Sequence, residues 1–313
     1  MNLIFLKNVL VAVFMSFTFI PVYGQQNTQY SQWNWHQFPL NPAHAGIKPF
    51  MEIHCLYRMQ WVGFSGAPRT GFIGLSAPLY AKRKKYLSAR HGIGFKLESD
   101  RIGQFNTTRY NLGYAGHFNF SKSTRLSLGL FGGIMQFGYD PSTSTTIDPD
   151  PTVLNESSRI LPDASLGAWW NGENYYIGLV LDNLTSARWK DIGSISSLRF
   201  HSSISGGYRF SLNHTTTFLP SLMLRIPSHL KLAIDFIGVI DYKNFLNFGI
   251  GLRAGDALIG QLGLKISGNF SIFYSYDYTI SALRTTNSGT HELSVVFNNG
   301  ISLNGPGTKC PLF

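Results

Sequence analysis

The chain has 313 residues, of which 44% are hydrophobic, 14% aromatic and only 13% charged. That charge content is about half of the ~25% usual in soluble domains, and the 32 glycines follow no tripeptide period, which argues against a collagen-like chain. The net charge of +10 comes from scattered residues apart from Lys82-Arg83-Lys84-Lys85, so a nucleic-acid surface is not expected.

Residues 1–24 read as an export signal. Lys7 precedes an apolar run from Val9 to Ile20, Pro21 ends it, and Val22-Tyr23-Gly24 supplies the small residue a signal peptidase reads. The apolar run is too short for the ~20 residues a spanning helix needs, so cleavage after Gly24 is expected. Residues 25–49 carry Trp33, Trp35, Pro39, Pro42 and Pro49 without clean periodicity, and read as an N-terminal extension or plug on the periplasmic side.

From residue 50 to 299 the chain alternates apolar and polar side chains. In 270–280, Ile272, Tyr274, Tyr276, Tyr278 and Ile280 share one parity, while Ser271, Ser275 and Asp277 share the other. Successive strand residues point to opposite faces, so this pattern needs oil on one side and water on the other. Fourteen strands are predicted, at 50–58, 70–80, 91–99, 108–120, 124–139, 162–171, 174–183, 197–210, 215–226, 229–238, 245–254, 257–266, 270–280 and 290–299. The expected fold is all-β: a transmembrane antiparallel barrel with an even strand count. Long outward connections (59–69, 100–107, 140–161, 184–196, 281–289) alternate with short periplasmic turns (121–123, 172–173, 211–214, 239–244, 267–269), the asymmetry of outer-membrane barrels. The basic turn 81–90 departs from that trend. The tail 300–313, with Gly305-Pro306-Gly307 and Pro311, reads as a periplasmic segment outside the barrel.

Little in the sequence points to catalysis. His91, His117, His201 and His229 fall on different strands or strand starts, with no nucleophile elbow nearby. Gly92-Ile93-Gly94 and Gly249-Ile250-Gly251 lie inside strands and are not phosphate loops. Asp140-Pro141, Asp148-Pro149 and Asp150-Pro151 match turn chemistry better than a calcium loop. No cofactor and no metal are expected. Cys55 and Cys310 lie near opposite ends, and export permits a disulfide without the sequence showing one. Lys231, Asp235, Arg253, Lys265 and Asp277 fall on the polar parity of late strands. They form either a lumenal salt-bridge network that stiffens the wall or a charged path for a solute.

Motifs at both ends carry a resemblance. Tyr30-Ser31-Gln32, Leu40-Asn41-Pro42-Ala43 with Gly46, and Tyr57-Arg58 with Gln60-Trp61 resemble the opening of the PorP/SprF family of type IX secretion outer-membrane proteins. Tyr276-Asp277-Tyr278-Thr279-Ile280-Ser281 and His291-Glu292-Leu293-Ser294 resemble its closing hairpin. The resemblance implies an outer-membrane barrel without enzymatic activity that supports secretion, gliding, or surface anchoring of an adhesin-like cargo. Implied partners are a secreted protein with a C-terminal targeting domain, periplasmic and outer-membrane components of the machine, and outer-membrane lipid. A porin-like channel for small solutes is the alternative. The motif residues are candidates for contacts with a partner or within a plug, and Trp33, Trp35 and Trp61 offer large amphipathic surfaces for either.

Overall fold

A computed structural model describes residues 27–79, 89–121, 123–140, 157–186, 199–227 and 232–300. The strands are β1 (Glu52–Met59), β2 (Arg69–Pro78), β3 (Arg90–Ile102), β4 (Phe105–Asn119), β5 (Arg125–Tyr139), β6 (Ser157–Asn171), β7 (Tyr175–Asp182), β8 (His201–Tyr208), β9 (Phe210–Ser211), β10 (Thr216–Pro227), β11 (Ala233–Tyr242), β12 (Leu246–Arg253), β13 (Ala257–Ser267), β14 (Phe270–Thr279) and β15 (Thr290–Asn298). β8 and β9 both pair with β10 and are two segments of one wall strand, interrupted at Arg209. The wall is therefore a closed, fourteen-stranded antiparallel barrel. β1 closes it against β15, with Glu52 opposite Asn298 and Met59 opposite His291.

The alternation of the sequence becomes an inverted burial pattern. Leu112, Ile160 and Ile250 are 69%, 66% and 62% exposed on the outer face, while Arg58, Arg125, Asp235 and Glu292 are buried on the inner one. Among the described residues no helix is long and apolar enough to cross a membrane. Crossing by strands leaves no sheet edge in the hydrocarbon, because every backbone ladder is paired.

Several boundaries differ from the sequence expectation. β3 and β4 run on to Ile102 and Phe105, so the expected long connection 100–107 is a two-residue turn, Gly103-Gln104. Gly103 adopts φ +59°, which lets the hairpin close that tightly, and Ile102 stays paired with Phe105. β6 starts earlier than expected, at Ser157, and β11 is shifted to 233–242. One end of the barrel carries connections 60–68, 103–104, 140–156, 183–200, 228–232, 254–256 and 280–289. That end is termed the loop end, and the other the turn end. The basic run 82–85, the loop positions 141–156, Trp189 and the tail from 301 lie outside the described residues, as do residues 1–26.

Candidate functional site: the lumen and its plug

The wall's inner face meets residues 27–50 of the same chain. Ser31, Gln32, Trp33, Ala43 and Ala45 are fully buried, and Asn34, Trp35 and Ile47 nearly so. The segment's first described residue is Asn27, whose side-chain oxygen accepts from Arg109 and Asn183 near the loop end, both at 3.2 Å. It then runs through the barrel and enters β1 at the turn end. The region expected as an extension or plug thus fills the lumen, and its first described residues lie beside the long loops rather than the turns.

At the loop end the inner face carries an alternating chain of charges. Arg225 meets Asp235 at 2.8 Å, and Arg253 bridges Asp235 (3.4 Å) and Asp277 (3.2 Å). Arg58 then bridges Asp277 (3.2 Å) and Glu292 (2.9 Å). Three guanidiniums thus face three carboxylates in one line across β10, β11, β12, β14, β1 and β15. Ser31 sits in the middle: its hydroxyl donates to Asp277 at 2.5 Å and accepts from Arg58 at 2.7 Å and Arg253 at 3.3 Å. The Ser31 and Gln32 amides donate to the two oxygens of Glu292, at 2.9 and 2.8 Å. The Gln32 side-chain amide donates to the Glu292 carbonyl at 2.9 Å and its oxygen accepts from Ser294 at 2.5 Å. Gln261 donates to the Ser31 carbonyl at 2.7 Å. Buried charge is tolerable only when paired and fully hydrogen-bonded, and the plug backbone supplies part of that bonding.

On the opposite wall Glu98 gathers Tyr30 (2.7 Å), Arg109 (3.0 Å) and Thr28 (3.3 Å). Burial, reinforced by the Glu98 charge, raises the Tyr30 phenol well above its ordinary pKa, so it remains a donor.

Towards the turn end the contacts change in kind. Asn41 caps a short 3₁₀ turn, Pro42–His44, by accepting from the Ala43 amide at 2.9 Å, and its side-chain amide donates to the Ala168 carbonyl at 3.1 Å. Gly46, at φ +62°, presses on β2 and β3: a Cβ there would stand 2.5 Å from the Ala77 carbonyl oxygen and 2.5 Å from the Gly92 Cα. A Cβ on Gly92, Gly129 or Gly167 would fall 2.1 Å from the Ala45 oxygen, 2.4 Å from the Ala43 nitrogen and 2.0 Å from the Asn41 side-chain oxygen respectively. These wall glycines form the seat of the plug. Trp33 and Trp35 pack with Met223, Ile237, Val239, Ile259, Phe273 and Val296, and Ala43 and Ile47 pack with Trp169, Tyr176 and Leu219. His117 donates to the Ala45 carbonyl at 2.9 Å and accepts from Ser127 at 2.8 Å. Among the described residues this is one of two buried Ser–His contacts, the other being Ser294–His36 at 2.9 Å, and here both residues are fully buried and the imidazole is held by the plug. Its role is positional.

The sequence-expected residues therefore divide. Tyr30, Ser31, Gln32, Asn41, Pro42, Gly46 and Arg58 converge in the lumen. Tyr57 turns to the outer face, 47% exposed, and is not a plug contact, because its parity is opposite to that of Arg58. Gln60 and Trp61 lie in the 60–68 connection, where Trp61 adopts φ +50° and its amide donates to the Thr290 hydroxyl at 3.1 Å. Of the charged set, Asp235, Arg253 and Asp277 meet, whereas Lys265 sits at the turn end on Asp241 (3.1 Å) and Asn244. Lys231 lies outside the described residues. Arg225 and Glu292 also belong to this cluster and were not among the expected inward charges, although each falls on the inner parity of its strand; Ser294 joins it through Gln32. Cys55 is free and exposed on the outer wall, and Cys310 is outside the described residues. Among the described residues no group of His, Cys, Asp or Glu is arranged to hold a metal ion.

The family described as "Type IX secretion system membrane protein PorP/SprF" matches residues 22–297. No curated protein matches the chain. Similar solved structures include the CymD monoaromatic hydrocarbon channel (8% identity, 88% of this chain and 94% of that one, TM-score 0.48) and the Ralstonia pickettii toluene transporter TbuX (7%, 83% and 92%, 0.48). A Pseudomonas aeruginosa FadL homologue follows at 10% identity, 79% and 89% coverage and a TM-score of 0.41. Likenesses this distant carry no functional argument.

Proposed function

Because the chain belongs to the PorP/SprF family of type IX secretion system membrane proteins, we propose that this outer-membrane barrel is a sealed anchoring component of that machine. In this reading its loop end holds a secreted, adhesin-like cargo through the cargo's C-terminal targeting domain, and its turn end docks on the periplasmic components. The observation that carries the reading is the plug. Residues 27–47 hydrogen-bond or pack against strands on opposite sides of the barrel, and the most central of them have no exposure. A solute route would need that segment to leave, at the cost of stranding buried charges. The loop end suits protein recognition: Phe64, within the largely apolar connection 60–68, is 45% exposed and the adjoining Met59 39%.

The test has two parts. Purified wild-type barrel in planar bilayers should show no steady conductance, and deletion of residues 27–47 should open it. Pull-down from detergent-solubilised membranes should recover a secreted protein together with machine components, and gene deletion should release that protein from the cell surface. Steady wild-type conductance with loss of solute uptake, and unchanged surface display, in the deletion strain would establish a channel instead.

A further inference from the structure

On the outer wall, β1 to β5 stack their outward side chains in level rows. One row, Cys55, Ile73, Leu97, Tyr110 and Ile134, is largely apolar. The next row towards the loop end is Tyr57, Gly71, Ser99, Thr108 and Gln136. The last is Met59, Arg69, Arg101 and Asn106. Over about 13 Å of strand, four residues' rise, the surface passes from hydrocarbon chemistry through hydroxyls and amides to guanidiniums. Among the described outward positions elsewhere near this end, Ile226, Leu252, Leu258 and Tyr278 are apolar or aromatic, while Ser202 and His291 are polar.

Arg69 and Arg101 stand directly opposite each other on neighbouring strands, both exposed. Like charges so placed repel, and one exposed carboxylate, Asp140 on the Arg101 side, offsets the pair only in part. The Arg69 side chain makes no hydrogen bond or ion pair among the described residues. Arg101 reaches only the exposed Asp140 at 3.6 Å and the Gly103 carbonyl at 3.5 Å. A cleft of about 500 Å³ opens over both arginines, walled by the 60–68 connection, with Met59 and Phe64 at its apolar side. Below them Gly71 leaves an open notch, where an added Cβ would meet nothing within 4 Å, flanked by Tyr57 and Ser99.

We propose that this face binds the phosphorylated headgroup of a glycolipid in the membrane leaflet at the loop end. Arg69 and Arg101 take the phosphate as paired forks, the Ser99, Thr108 and Gln136 row takes the sugar, and the acyl chains lie along Ile73, Leu97 and Tyr110. Guanidiniums match phosphate oxygens in geometry and charge, and two of them on one anion turn their mutual repulsion into shared attraction. The site depends on the membrane location but not on the secretion role, and its test needs neither cargo nor machine.

Purified full-length protein in detergent is titrated with bis-phosphorylated lipid A, its dephosphorylated form, phosphatidylglycerol and inorganic phosphate, read by native mass spectrometry. Phosphorylated lipid A should bind at least tenfold more tightly than the other three. Arg69→Gln and Arg101→Gln should each weaken it by roughly tenfold, with Arg69→Lys in between. Heat-dependent gel mobility should remain that of wild type in all variants, since neither arginine faces the lumen. Equal binding of phosphatidylglycerol would overturn the glycolipid assignment. Equal binding of the dephosphorylated form, or an Arg69→Gln/Arg101→Gln double variant that binds like wild type, would overturn the site itself.

Discussion

Residues 30–32 and residues 41–46 occupy the same lumen, yet the first group is gripped by ionised side chains and the second by positions where side chains are missing. Around Ser31 the wall offers Arg58, Arg253, Asp277 and Glu292, each within hydrogen-bond reach of another member or of the plug. Around Pro42–His44 and Gly46 it offers Gly92, Gly129 and Gly167, whose bare Cα atoms let two backbones touch. The polar grip specifies register, because a slip by one residue would leave Glu292 without its two amide donors. The glycine seat specifies closeness and contributes through packing. Together they fix both ends of one strap.

The comparison breaks most sharply at Arg58. Arg58→Ala removes a cation from two fully buried carboxylates and should cost about 3–5 kcal/mol, the range for stranding a buried partner. Asp277 would keep Arg253, whereas Glu292 would keep only the two plug amides. The expected result is a large fall in the temperature at which the barrel loses its compact gel mobility. Arg225→Ala should cost less, since Asp235 retains Arg253. Equal effects of the two substitutions would mean that the network does not act through the plug.

A second change attacks the other grip. Gly92→Val places branched carbon where the Ala45 carbonyl now stands, and overpacking of this kind costs about 1–3 kcal/mol. The wall can keep its ladder if the plug withdraws, so protease should cut near residues 41–47 while the barrel still migrates as folded. Gly132→Ala, where a Cβ meets nothing within 4 Å, is the matched control and should change neither readout. Protection retained in Gly92→Val would show that close contact is not what holds this half.

Acid should separate the halves by titration. Burial, with the Lys48 charge adding to it, pushes both His36 and His44 well below their ordinary 6.5. Both are neutral when seated, whereas the released segment takes up protons as pH falls through 6.5. Stability is therefore complete above about pH 6.5 and declines below it, by about 1.4 kcal/mol per pH unit for each histidine until the seated pKa is reached. Hydrogen exchange at pH 5 and pH 7.5, expressed as protection factors so that the base-catalysed intrinsic rate is removed, should show the amides of 43–47 losing protection in acid. Unchanged protection factors, or a loss of protection abolished by His36→Gln with His44 intact, would remove His44 from the account.

Which parts of this were legible beforehand follows from periodicity. Strand parity assigned Asp235, Arg253 and Asp277 to the inside before any geometry, because a period of two survives errors of a few residues in strand ends. The same rule would have added Arg225 and Glu292, had the hairpin partners been read as one face. The seat of Gly92, Gly129 and Gly167 had no such signal: a glycine is silent about which neighbour needs its space, and that neighbour lies 46 to 126 positions away in sequence. The plug's direction was equally hidden, since the irregular segment 25–49 has no period to say which end meets the loops. The turn at Gly103-Gln104 was obscured because Asp100 and Asn106 read as loop residues while their backbones remain paired.

The smallest expected effect lies at Asn41, where both kinds of grip meet. Its oxygen caps the Pro42–His44 turn, its amide reaches the Ala168 carbonyl, and Gly167 leaves room for it. Asn41→Ala forfeits cap and donor together and should cost about 1 kcal/mol, within the usual 0.5–2 for a lost N-cap. Asn41→Asp keeps the cap but turns a carboxylate towards the Ala168 carbonyl, so it separates the two bonds. If the cap dominates, Asn41→Asp should melt nearer to wild type than Asn41→Ala does, and if the donor dominates the order should reverse. The readout is the gel-mobility melting temperature with the 43–47 amide exchange recorded alongside. Either order is informative only if Gly167→Val, which fills the space Asn41 occupies, is more damaging than both. Should Gly167→Val prove milder than Asn41→Ala, the turn-side half would be held by its hydrogen bonds after all, and the contrast between the two halves would fail.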